Sequence, residues 1–276
     1  MASGRRFLMI GAHPDDADIR FGGTAIQLAK AGHTVKFVSM SNGDCGHRLM
    51  HGKELAERRW LETQKAAAIF GIAEYQVMDH HDCELEATVE NRKEVIRLIR
   101  HFRPDVVLSH RTCDYHADHR ACAQLVQDAA YLVMVPQFCP EIPIPEVNPI
   151  FGCVFDTFTD PRPARPDAAV AIDAVHDQKN RALDCHVSQF YEWLAEEHGY
   201  HGVDFSSWCW EEKSAYLTKH WGMRFKVAAD AARQTLKETY GDEAGSKVQF
   251  AEVFELSPYG RKVTLEEFRN LLLGKA

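Results

Sequence analysis

Residues 7–40 read FLMIGAHPDDADIRFGGTAIQLAKAGHTVKFVSM, and the fold turns on them. The apolar run that opens at Phe7 is a short strand, ended by His13 and Asp15. Ala25, Ile26, Leu28 and Ala29 then share one helical stripe, which Gly32 closes. Residues 33–40 alternate like a second strand. Outward from this unit the alternation continues. Residues 54–70 form an amphipathic helix stopped by Gly71, 74–78 a strand, and 89–102 a helix. Pro104 resets the chain before the strand 105–109, and a helix covers about 118–133. The order βαβαβαβα predicts an α/β fold, a doubly wound, mostly parallel, Rossmann-like sheet with helices on both faces.

Beyond it, 136–149 holds five of the eleven prolines and is expected to be an irregular excursion. Residues 151–158 and 168–172 look like strands, 174–197, 208–220 and 225–240 like helices, 249–256 like a closing strand and 265–273 like a terminal helix. This makes a helical and β C-terminal extension (150–276) on a core (1–135), all within one domain, 1–276.

Composition narrows the function. With 45% hydrophobic and 26% charged residues the chain is ordinarily globular. A net charge of −8 gives no overall attraction to nucleic-acid phosphates or anionic membranes. No stretch approaches the run of about 20 apolar residues needed to span a bilayer, and the first apolar run is too short for a signal-peptide core. A cytoplasmic location is therefore expected. The eight cysteines, scattered from Cys45 to Cys209 without a CxxC, read as reduced thiols.

Fifteen histidines are many for this length, and they cluster. The first strand ends in His13-Pro14-Asp15-Asp16, and the fourth leads into His110-Arg-Thr-Cys-Asp114-Tyr115-His116-Ala117-Asp118-His119. In a doubly wound sheet strands one to three run outward to one side. The fourth returns beside the first, so these two loops face each other at the switch point. His13 and Asp16 are three apart, as are His116 and His119, which places each pair on one side of a turn entering a helix. Two imidazoles and a carboxylate, with a fourth position for water, are the usual form of a catalytic zinc site. A free carboxylate beside the metal, such as Asp15, suits a general base, and Asp118 suits the orientation of His116 through its ring N–H. Read separately, the Asp pair is a helix cap and the second string a solvated helix start.

Ala12-His13-Pro14-Asp15-Asp16 together with Tyr115-His116-Ala117-Asp118-His119-Arg120 resembles the PIG-L/LmbE-like zinc deacetylases, which act on N-acetylated amino sugars or their conjugates. The likeness extends over roughly 7–256. It takes in Pro104-Asp105-Val106-Val107, Arg59-x-x-Glu62-x-x-x-Ala66, Asp82-x-Glu84-Leu85, Lys179-x-x-Ala182-Leu183-x-x-His186-x-Ser188-Gln189 and Ala251-Glu252-x-Phe254. The resemblance implies His13, Asp16 and His119 as Zn2+ ligands. It makes Asp15 the general base, and His116, tuned by Asp118, the stabiliser of the oxyanion. It assigns Arg59 and Asp82 to the sugar. The partner implied is a small N-acetylated substrate, and related proteins often assemble as homo-oligomers. One departure stands out: the family's first motif usually continues with Glu, where this chain has Ala17-Asp18.

Competing readings share these residues. An amidase acting on a larger conjugate would use the same chemistry. A facial triad of two His and one carboxylate also serves non-haem Fe(II) oxygenases, and a zinc- or sugar-binding homologue without catalysis would keep the ligands. A second metal would call on His110 and Asp114, or on His80 and His81. A nucleotide-binding Rossmann protein is disfavoured, since no GxGxxG follows the first strand.

Overall fold

A computed structural model describes residues 4–275. Strand β1 (Arg6–Gly11) lies between β2 (Thr34–Ser41) and β4 (Val106–Ser109), parallel to both, and β3 (Glu74–His80) lies outside β2. Parallel neighbours need long crossovers. These are the helices α1 (Asp16–Lys30), α2 (Gly52–Phe70) and α3 (Val89–Phe102), and α4 (Ala117–Leu132) leads on from β4. With β5 (Ile150–Val154), β6 (Ala168–Ala171) and β7 (Ala251–Gly260) the sheet runs β3-β2-β1-β4-β5-β7-β6. β7 is antiparallel to both of its neighbours. The expected α/β class and the placing of the fourth strand beside the first are both seen.

β1 shows why the sheet is central. Phe7 and Met9 enter one core with Phe21, Phe37 and Phe254, whereas Leu8 and Ile10 enter the opposite core with Val95, Ile99 and Leu125. A strand covered on both faces reads as an unbroken apolar run. Each large side chain buried this way is worth about 1.5–3 kcal/mol.

Helix α1 begins seven residues earlier than the stripe from Gly23 suggests. Gly22 and Gly23 lower helix propensity, but they let the helix press against its neighbours. A Cβ at Gly22 would sit 2.6 Å from the Phe70 ring, and one at Gly23 2.7 Å from Ile172. Close packing overrides propensity here.

The helix expected over 174–197 is broken. α5 (His176–Leu183) stops, and the chain resumes as a π-helical turn, Ser188–Trp193, followed by Leu194–Glu197. The break follows two anchors. His186 turns inward to Asp18 at 2.7 Å, and Ser188 places its N–H and hydroxyl on Glu62 at 3.0 and 2.6 Å. The 208–220 and 225–240 helices are likewise divided, and Asp242–Lys247 adds a helix that the sequence did not suggest. β5 ends at Val154, four residues before the expected end, because Asp156 leaves the sheet to meet Arg111 at 2.7 Å. No helix among the described residues is long and apolar enough to cross a membrane.

Candidate metal centre

The loop after β1 and the start of α4 meet at the carboxyl edge of the sheet. Two amides fold the first loop tightly: Asp15 and Asp16 both donate to the His13 carbonyl, at 2.8 and 3.2 Å. Asp16 then opens α1 with its carboxylate turned back, where Oδ2 accepts the N–H groups of Ala12 (2.9 Å) and His13 (2.7 Å). Only glycine fits at position 11, since a Cβ there would come within 2.7 Å of the Asp16 Cβ.

The atoms expected to be ligands converge. His13 Nδ1 lies 3.1 Å from His119 Nε2 and 3.5 Å from Asp16 Oδ2, while His119 Nε2 lies 3.3 Å from Asp16 Oδ1. Zinc bonds of about 2.0–2.2 Å separate tetrahedral ligands by about 3.3 Å. The far nitrogens of both rings face acids. His13 Nε2 has Asp82 at 3.1 Å and Asp118 at 3.3 Å, and His119 Nδ1 has Asp114 at 3.1 Å, although that contact is poorly aligned. Carboxylates so placed favour N–H on the far nitrogens and turn the two near nitrogens toward each other across 3.1 Å. Such a contact suits a cation between them, so the residues fit a zinc ion.

The electrostatics agree with the crowding. Burial works against a charged His13, but Asp118, Asp16 and Asp82 outweigh it and hold its pKa well above normal. His119 is pushed up to about 9 as Asp16 and Asp114 overcome burial. Asp16 lies well below the usual carboxylate range, because His119 and His110 outweigh its burial. Burial, then the Asp16 charge, raises Asp15. Asp15 is 4% exposed.

His116 caps α4, where its Nδ1 accepts the Asp118 N–H at 3.1 Å. Burial and the rings of His13 and His119 lower its pKa, so it is held neutral with the proton on Nε2. Its ring centroid lies 4.5 Å from that of His13. Asp118 departs from expectation. Its carboxylate accepts the N–H groups of Cys83 (2.8 Å) and Leu85 (3.3 Å) and faces His13, so it meets His116 only through its backbone. Neighbours two apart at a helix start point to different sides.

Arg59 and Asp82 come together under the loop that carries Gly43 and Gly46. Asp82 holds His13 and accepts the Gly46 N–H at 3.1 Å. Arg59 is buried, with Nε and Nη2 lacking a partner among the described residues. His80 and His81 pair instead with Glu94 and Asp44, each at 2.7 Å, and His47 meets Glu192 at 3.1 Å. His186 bonds Asp18 in the core, and Trp221 packs on Phe190. Burial pushes the Cys122 thiol up to about 12, as suits a packed thiol. Two residues carry more than the sequence suggested. Asp114 backs His119, and the His110 ring stacks on His119 at 4.2 Å with its Nε2 3.2 Å from Asp16. The signal available was Asp114 itself, an acid placed five residues before His119.

Comparison with known proteins gives this geometry a context. Residues 8–130 match the family described as PIG-L, GlcNAc-PI de-N-acetylase. The diacetylchitobiose deacetylase of Thermococcus kodakarensis is 33% identical over 194 residues, covering 68% of this chain and 71% of that protein. The 4-oxalmesaconate hydratase of Pseudomonas putida is 28% identical over 198 residues, covering 67% and 74%. The fold is similar to that of the N,N'-diacetylchitobiose deacetylase from Pyrococcus horikoshii, with a TM-score of 0.67 at 22% identity over 92% of this chain and 84% of that one. On this evidence the chain belongs to the PIG-L family.

Proposed function

We propose that the chain is a zinc-dependent hydrolase that releases acetate from an N-acetylated amino sugar or its conjugate. Support comes first from the mutual 3.1–3.5 Å spacing of His13 Nδ1, Asp16 and His119 Nε2. These three side chains would hold the ion. Zinc bound there would lower the pKa of a water from about 15.7 to about 7 and polarise the acyl oxygen.

The remaining steps fall to the protein. The Asp15 carboxylate takes the water's proton as the water oxygen attacks the acetyl carbon. It returns that proton to the amine nitrogen as the C–N bond breaks. His116 donates its Nε2–H to the acyl oxygen while negative charge builds there. Asp118 and Asp82 hold the His13 ring from behind. Arg59 and Asp82 serve the sugar, and buried Arg59 keeps two donors without a partner among the described residues. A positioned base contributes about 10²–10⁴ in rate and one oxyanion donor about 10²–10³. The substrate is a small molecule, and the reading takes the chain as a single domain.

Acetate release from a panel of N-acetylated sugars and conjugates, before and after chelation, tests the proposal. Hydrolysis that stops with metal removal and returns with zinc is expected. Undiminished hydrolysis by the metal-free protein would refute it. The hydratase relative favours a second reading, in which the same water adds across a carbon–carbon double bond of an unsaturated acid. Consumption of such an acid without acetate release from any acetamide would select it.

A further inference from the structure

Beside the metal centre lies a cavity of about 390 Å³, lined by Arg20, Tyr115, Phe155, Phe158, Met223 and Arg224 among others. Tyr115 joins the two places. Its ring centroid is 5.6 Å from that of His119 and 6.0 Å from that of Phe158, and 72% of the residue is exposed. The cavity is cationic in a chain of net charge −8.

Its acids are already engaged. Asp156 accepts from Arg111 Nη1 at 2.7 Å and from the Phe158 N–H at 2.9 Å. In the adjoining crevice, which Arg20 and Arg224 also line, Glu252 takes Lys179 together with the N–H groups of Gly23 and Thr24. Arg20 makes one bond, from Nη1 to the Phe155 carbonyl at 3.1 Å. Among the described residues, neither Arg20 nor Arg224 has a carboxylate within ion-pairing distance. Arg224 is exposed to solvent, and the neighbouring Arg20 charge disfavours its own while the more distant Asp15 and Asp16 charges favour it. Two guanidinium groups at one cavity, neither in direct contact with a carboxylate among the described residues, offer donors matched to a planar or tetrahedral oxyanion.

We propose that this cavity is the subsite for an anionic group, a carboxylate or a phosphate, carried on the amine portion of the substrate. Tyr115 spans the distance to the acetyl group and presents a face for the intervening ring. This deepens the deacetylase reading and rests on it for the identity of the amine. The substrate class becomes an acidic N-acetylated amino sugar or conjugate rather than a neutral one.

Calorimetry on the zinc-loaded full chain tests the subsite without turnover. The probes are glucosamine, glucosamine 6-phosphate as the phosphate arm, and muramic acid as the carboxylate arm. At least one anionic amine is expected to bind about tenfold or more tighter than glucosamine, as charge-assisted bonds require. Arg224→Gln and Arg20→Gln should each erase most of that ratio, and Arg224→Lys, which keeps the charge but not the fork, should retain part of it. A wild-type ratio below about tenfold for both arms, or a ratio that survives both Gln substitutions, would overturn the proposal. Acetate release from the corresponding N-acetyl compounds separates the two claims. Anion preference without acetate release sinks the deacetylase reading alone, whereas acetate release without preference sinks the subsite alone.

Discussion

Helix α1 carries two buried polar clusters, and they differ in what they leave undone. At its start, His13 Nδ1 and His119 Nε2 face each other at 3.1 Å, and Asp15 makes no side-chain cap. Further along, Lys179 reaches Glu252 at 2.5 Å and the Ile19 carbonyl at 2.8 Å, while Glu252 also takes the N–H groups of Gly23 and Thr24. The Lys179 ammonium lies 3.5 Å from the Phe225 ring centroid. One cluster asks for something from outside; the other is complete. Buried polar groups are ordinarily satisfied, so the incomplete cluster is where chemistry is expected and the complete one is scaffold.

The largest effect should come from the incomplete cluster. Asp15→Ala is expected to bind one zinc and to lose about 10²–10⁴ in turnover of an N-acetyl substrate. Metal content and acetate release measured on one preparation decide it, and wild-type turnover would move the base elsewhere. The complete cluster should respond in stability instead. Glu252→Ala strands Lys179 and should cost about 3–5 kcal/mol in a denaturant melt, while zinc stoichiometry in the folded fraction stays unchanged. If it lost zinc without losing stability, the contrast between the clusters would be wrong.

A smaller loss in turnover, about 10²–10³, is expected for His116→Ala, with zinc retained. Smaller still is a pH effect from His186. Burial opposes a charge on its ring, but the Asp18 carboxylate outweighs it and raises the pKa in the folded state above the usual 6.5. A raised histidine contributes stability that is fully present below the unfolded pKa and is lost as pH rises through the folded one. Melting midpoints should therefore fall from neutral pH upward in the wild type, and the fall should flatten in His186→Gln. Identical pH profiles would remove His186 from the account.

Element order made much of this arrangement legible. His13, Asp16, His116 and His119 lie at the ends of β1 and β4, and strands that start a doubly wound sheet have little choice of neighbour. Partners set by tertiary packing were not legible in that way. Asp118 is beside His116 in sequence, but α4 aims its carboxylate at the 83–85 turn and His13. Asp114 and His110 gain their roles only when the loop folds over His119. In the C-terminal region, the apolar spacing of 174–197 says helix throughout. The breaks come from His186 and Ser188 reaching Asp18 and Glu62, more than a hundred residues earlier. Arg224 carries no local mark at all, since only the fold brings it to the same cavity as Arg20.

The central claim is that His13, Asp16 and His119 grip one zinc ion. X-ray absorption at the zinc edge of the zinc-loaded protein tests it most directly. The account predicts one zinc per chain with two imidazole nitrogens and oxygen donors at about 2.0–2.2 Å, and loss of that signature in His119→Ala. Sulfur scatterers at about 2.3 Å, or an unchanged spectrum in His119→Ala, would contradict it.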